Sequence, residues 1–166
     1  MAAAAGPGSD VPRMAPTGTP GAQATPAAAA AALAAWTHRR FFDLLATLGR
    51  LRVISIAGPS TFEALCELGP YGFAHGHMNA ITRAYHWHLA LDRFRHLRSC
   101  DEIHARSGRR VLFFELREAA DAEPFLRIYL FRGQGEAFDP VLVERFAAAH
   151  AELRDGVALA HGEAGR

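Results

Sequence analysis

From Leu51 to Phe131 the apolar residues recur at every second position in short runs, and turn-forming residues cut the runs apart. A period of two sends alternate side chains to opposite faces of a strand. Thr61–Leu68 sets Phe62, Ala64, Cys66 and Leu68 against Thr61, Glu63 and Glu67, and the β-branched run Leu51–Ala57 precedes it. Gly58-Pro59-Ser60 joins the two as a turn, and Gly69-Pro70-Tyr71-Gly72 breaks the chain again. Ser107-Gly108 is a third turn. Arg110–Arg117 and Phe125–Phe131 read as strands, and in the latter Leu126, Ile128 and Leu130 oppose Phe125, Arg127, Tyr129 and Phe131. Asp92–His104 follows no clean period; it fits a helix, or a short turn and then a strand.

Helical spacing is confined to the two ends of this region. Trp36, Arg40, Phe41, Leu44, Leu45 and Leu48 predict a helix over Trp36–Leu48, with Gly49 as its C′ residue. Asp139 as N-cap and Pro140 at N1 start a second helix that runs to about Asp155 and stops at Gly156. Leu142, Phe146, Ala149, His150 and Leu153 form its stripe. The expected fold is α+β: a curled antiparallel sheet of about seven strands, mostly a meander, flanked by an N-terminal and a C-terminal helix that cover one face or an end.

The 166 residues predict one domain with tails. Residues 1–34 are Ala, Gly, Pro, Thr and Ser with almost nothing to bury, which predicts a disordered tail. The domain is expected over 35–156, and a short C-terminal tail over 157–166. A net charge of +1 gives no electrostatic case for nucleic acid or an anionic membrane. All 18 basic residues are arginine, so chemistry that needs a lysine is excluded, Schiff bases and Walker-type phosphate loops included. Cys66 and Cys100 match no zinc spacing and read as free thiols of a reducing cytoplasm. The Ala27–Ala35 run comes too late for a secretory signal and is too short to span a bilayer.

Four of the nine histidines fall in one stretch, His75-Gly76-His77 and His86-Trp87-His88. In strands, His75 and His77 would share a face, as would His86 and His88, and a hairpin would line all four imidazoles on one side. No Asp or Glu lies between Glu67 and Asp92, which weakens a small-metal site of the non-haem iron or cupin kind. A haem needs fewer ligands: one or two axial groups, an apolar wall and donors for its propionates. Met78, Tyr85, Trp87 and Arg83 offer that mix. Met78 alternates away from the histidines and reads as core or wall. The residues alone leave two readings open, a metal or haem site and solvated polar positions of a half-buried sheet. His96, His104 and His150 are isolated; His38 and His161 lie near segment ends and are expected in solvent.

The order and spacing of several short motifs resemble a known family. Phe41–Leu48, Val53-Ile54-Ser55-Ile56, Phe62-Glu63, Glu67-Leu68, His75-Gly76-x-x-Asn79, His88-Leu89, Val111-Leu112-Phe113-Phe114, Phe125–Arg132 and Val143-x-x-Phe146 look like the bacterial haem-utilisation proteins of the ChuX/HutX type. These are similar in turn to one half of the haem-degrading HemS/ChuS proteins. The resemblance covers residues 36 to 153. It implies a HemS-like curled sheet, a homodimer, and haem (iron protoporphyrin IX) bound at the sheet surface, with His75 and His88 as iron ligands. His77-Met78 replaces the family's aromatic pair and Trp87 its glycine before the second histidine, which brings in His77 and His86 as further ligand candidates. Arg83, Arg110, Arg127 and Arg132 are the propionate candidates.

The expectation is therefore a cytoplasmic haem carrier with little or no catalysis of its own, passing haem to an accepting or degrading protein. The alternatives are an enzyme of the same pathway that degrades haem or reduces its products, and a non-haem structural or interaction module whose histidines are incidental.

Overall fold

The computed structural model describes residues 35–160. The expected N-terminal tail and His161 lie outside the described residues. The order is α1 (His38–Ala46), β1 (Arg50–Ala57), β2 (Ser60–Glu67), β3 (Tyr71–Ala74), β4 (His77–Ile81), β5 (His86–Ala90), β6 (His96–Ile103), β7 (Arg110–Arg117), β8 (Leu126–Leu130), α2 (Pro140–Leu153) and β9 (Val157–Ala158). The expected α+β architecture is present, an open antiparallel sheet with two helices.

The sheet is divided. Six strands form one sheet in the order β2-β1-β8-β7-β6-β9, and β3-β4-β5 form a second. Tyr71 and Gly72, read as part of a breaker, open β3, and Asp92–His104 resolves into a turn and then β6. The local hairpins follow the meander, but β1 lies beside β8, not beside β3. Within the span expected as a C-terminal tail, 157–166, β9 pairs with β6 and Ala160 bridges Thr37.

Both helix starts follow from their caps. The Thr37 side chain accepts from the Arg40 N–H, so α1 begins at His38 and Trp36 stays outside it. Asp139 accepts from the Val141 N–H, with Pro140 at the first helical position, where its missing donor has no cost.

α1 packs between the two sheets. Phe41 meets Phe114 of β7 edge-on at 5.4 Å, while its neighbour Phe42 turns to Tyr71, Phe73 and Trp87 of the small sheet. Both Phe residues are wholly buried. α2 covers the same face of the large sheet through Phe146 on Phe114. Met78, Ala80 and Leu89 complete the inner face of the small sheet, so Met78 is core. His38 is not in solvent as expected: it is half-buried, and its Nε2 lies 2.6 Å from the Phe94 carbonyl. It sits on the first turn of α1, where the chain folds back over Phe94. Among the described residues no helix is long and apolar enough to cross a membrane.

Candidate functional site

The outward face of the small sheet is set by its register. β4 and β5 pair so that His77 lies opposite Ala90, Asn79 opposite His88 and Ile81 opposite His86. With Met78, Ala80, Trp87 and Leu89 turned to the core, these residues point outward. Three of the four expected imidazoles thus share one face. His75 does not share it as a strand residue. His75 and Gly76 form the two-residue loop between β3 and β4, with φ of 52° and 74°. Positive φ at both loop positions belongs to the hairpin turn whose twist matches the flanking strands, where Asn-Gly is the usual pair. His75 takes the place of that Asn at the sheet's end.

Hydrogen bonds orient the rings. The Asn79 amide nitrogen donates to the carbonyls of Ala74 and His77, at 3.3 and 3.2 Å. Carbonyls only accept, so the Asn79 Oδ1 must face the other way, and His88 Nδ1 lies 2.6 Å from it. This contact calls for the His88 proton on Nδ1, which would turn the Nε2 lone pair outward. His77 repeats the pattern: Nδ1 donates to the His75 carbonyl at 2.8 Å. His86 stands edge-on to His88, with 6.4 Å between ring centroids. Sequence reasoning placed Asn79 in a motif but missed this role. The signal was its even spacing from His77, which puts both on one face.

The surroundings suit a flat ligand. His88 is exposed, and Ile81 on the same face is 57% exposed. Ala74 and Ala90 flank His77 and leave the surface low. The Thr82 hydroxyl accepts from the N–H groups of Ala84 and Tyr85, which tightens the β4–β5 turn and leaves Arg83 exposed at its tip. Among the described residues no cluster of three or more His, Cys, Asp or Glu could hold a small metal ion. One oriented imidazole beside exposed apolar surface does meet the lower demands of haem, which brings its own four equatorial nitrogens.

The remaining candidate arginines are elsewhere. Arg127 projects from the outer face of the large sheet and donates to Glu115 Oε1 at 3.0 Å. Arg117 holds the other carboxylate oxygen at 2.5 Å. Burial alone would raise the Glu115 carboxyl, but the two guanidiniums outweigh it and hold the group below its ordinary range. Arg110 forms a two-point pair with Asp101, at 2.6 and 2.8 Å. Arg132 donates to the Arg110 carbonyl and lies over the Phe138 ring. Arg110 and Arg132 line a cleft of about 670 Å³ on the large sheet, with Arg52, Tyr129 and His104. The arginines expected to meet the histidines thus stand on a different sheet, with α1 between.

The isolated histidines have structural surroundings. His150 Nδ1 lies 2.8 Å from the buried Ser99 hydroxyl, and His104 caps the Ser107 turn. His96 is half-buried, and burial, with Arg117 nearby, holds it below the ordinary histidine range.

No protein-family model and no curated protein sequence matches the chain. Solved structures do. A protein from Erwinia carotovora superposes with a TM-score of 0.60 at 20% identity, over 70% of this chain and 71% of that one. The heme binding protein ChuX gives a TM-score of 0.58 at 16% identity, over 69% and 71%. Holo-PhuS, a heme-binding protein from Pseudomonas aeruginosa, gives 0.54 at 16% identity; 64% of this chain matches 30% of that longer one. The chain therefore has the fold of the ChuX/HutX type, the fold its motif order resembles.

Proposed function

We propose that the chain binds haem on the outward face of its small sheet and carries it, with His88 as the principal iron ligand. The observation that carries this is the His88–Asn79 bond, which leaves an exposed imidazole with its Nε2 lone pair free and its ring held. Haem supplies the iron and its redox chemistry, and the chain supplies the ligand and the surface. His75 and His77 at the neighbouring turn, and His86 beside His88, are the further imidazoles within this face. Arg83 is the propionate donor on the same hairpin. Arg110, Arg127 and Arg132 drop out of the ligand set because their guanidiniums are engaged on the other sheet.

Two likenesses support the reading. ChuX is a heme binding protein and PhuS a heme-binding protein, and both share this fold. An open face with one firmly placed ligand suits a carrier, since cargo held there remains accessible to an acceptor. In this reading the carrier is cytoplasmic and pairs as a homodimer. The edge strand β2, unpaired among the described residues, supports the pairing, with Phe62 69% and Leu65 44% exposed.

The test is a haem titration of the wild type and of the four single variants His75→Ala, His77→Ala, His86→Ala and His88→Ala. A Soret shift at micromolar haem that weakens most in His88→Ala is expected. No shift in the wild type sinks the proposal. The second reading, a haem-degrading enzyme, draws on the shared fold of ChuS, a heme degrading enzyme from Escherichia coli, of which the match spans 32%. Haem with a reductant in air separates the two: a stable Soret band fits the carrier, and rapid loss with iron release fits the enzyme.

A further inference from the structure

We propose that Asn79 is a positioning residue that fixes the tautomer and the ring orientation of His88. A neutral imidazole carries one proton, on either nitrogen, and the nitrogen without it is the one that can bind a metal. Free in water, imidazole side chains favour the proton on Nε2, the outward nitrogen here. A histidine in that form has its lone pair on Nδ1, turned back toward the strand. Something must reverse the preference if Nε2 is to meet an iron approaching from solvent.

Asn79 can reverse it because its own orientation is not free. Its amide nitrogen is held by two carbonyls, Ala74 at 3.3 Å and His77 at 3.2 Å. Flipping the amide would place Oδ1 against both carbonyl oxygens, a double repulsion. The Oδ1 is thereby fixed toward His88, and at 2.6 Å it accepts the Nδ1 proton. The cross-strand register makes the contact, since Asn79 and His88 are directly opposed in the β4–β5 ladder. Ala74 borders the His75-Gly76 loop, so the same amide also ties that loop to the ligand. The tautomer stands on geometry alone; its consequence for haem rests on His88 being the iron ligand.

Side-chain two-bond ¹H–¹⁵N correlation on the full-length protein without haem, at a pH above the histidine range, reads the tautomer directly. The expected result is His88 with Nδ1 in the protonated region and Nε2 in the unprotonated one. In Asn79→Ala the pattern should invert toward Nε2–H, and haem affinity should fall about 10- to 100-fold, the usual effect of removing a partner that orients a metal-binding histidine. Asn79→Asp keeps an acceptor for His88 but loses both donors to the loop, and its second oxygen must swing clear of the Ala74 and His77 carbonyls. It should retain the Nδ1–H form and recover most of the lost affinity, whereas a role confined to holding the loop would leave Asp as poor as Ala. A wild-type His88 protonated on Nε2, or equal defects in Ala and Asp, overturns the assignment. If the tautomer is as expected but His88→Ala binds haem as the wild type does, Asn79 keeps its role and the haem site proposed above fails.

Discussion

Replacing Arg127 by Met separates the two sheets experimentally. The sequence offered Arg127 as a propionate donor, and the structure places it beside Glu115. Glu115 is 4% exposed and takes one guanidinium on each oxygen, Arg127 at 3.0 Å and Arg117 at 2.5 Å. Breaking a buried ion pair costs about 3–5 kcal/mol when the abandoned charge has no other partner. Glu115 keeps Arg117, and the Arg127 side chain is 36% exposed, so solvent screens part of the loss. Methionine also retains most of the aliphatic packing. The expected destabilisation is about 1–2 kcal/mol, or roughly 4–8 °C in Tm for a domain of this size. Haem affinity should change less than about twofold, far below the tenfold that 1.4 kcal/mol of lost contact represents. Thermal melts and haem titrations on the same samples read both numbers. A variant with unchanged Tm and tenfold weaker haem binding would refute the separation of Arg127 from the site.

Other outcomes follow from the same geometry. His75→Asn keeps a side chain that tolerates positive φ and removes the imidazole; stability should hold within about 0.5 kcal/mol, so any loss in haem titration reports ligation by His75. Gly156→Ala should destabilise by about 1–3 kcal/mol in urea unfolding, because φ is +78° and the new Cβ would lie 2.5 Å from the His96 ring. Glu115→Gln should lower stability at neutral pH. The wild-type advantage should fade in acid, because the depressed carboxyl contributes fully above its unfolded value of about 4.3 and loses that contribution as pH falls through its folded value. Phe42→Ala, emptying a buried site beside Tyr71, Phe73 and Trp87, should cost about 3–5 kcal/mol by chemical denaturation.

The strands were legible where one face is buried and period two survives. Arg110–Arg117 is found as read, and Leu126, Ile128 and Leu130 all face the core. The second helix start was legible because Asp139-Pro140 carries its own chemistry; Trp36 falls outside the first helix because Thr37 caps it at His38. The division into two sheets was not legible. It depends on β1 lying beside β8, a pairing between residues more than seventy positions apart that no local pattern encodes. The placement of the candidate residues was half legible. Period two put His86 and His88 on one face, but the same rule failed at His75, where Gly76 makes a turn. The surroundings of the arginines were not legible for a different reason. Charge alone does not reveal its partner, and Glu115 lies twelve positions from Arg127, one strand away.

Among the described residues the small sheet shares no strand ladder with the large one. Its polar ties to the rest are few: the Tyr85 hydroxyl donates to the Glu67 carbonyl and accepts from the Gly69 N–H, and the Tyr71 hydroxyl reaches Asp43 at 2.5 Å. Most of its attachment is apolar, through Phe42 and its ring of aromatics. The three strands should therefore behave as a unit whose amides exchange before those of β6 and β7, which native-state hydrogen exchange would read. If haem binds there as proposed, its hold can be loosened through a local opening that costs less than global unfolding. On the proposed reading, the lifetime of the bound haem is then set separately from the lifetime of the folded protein.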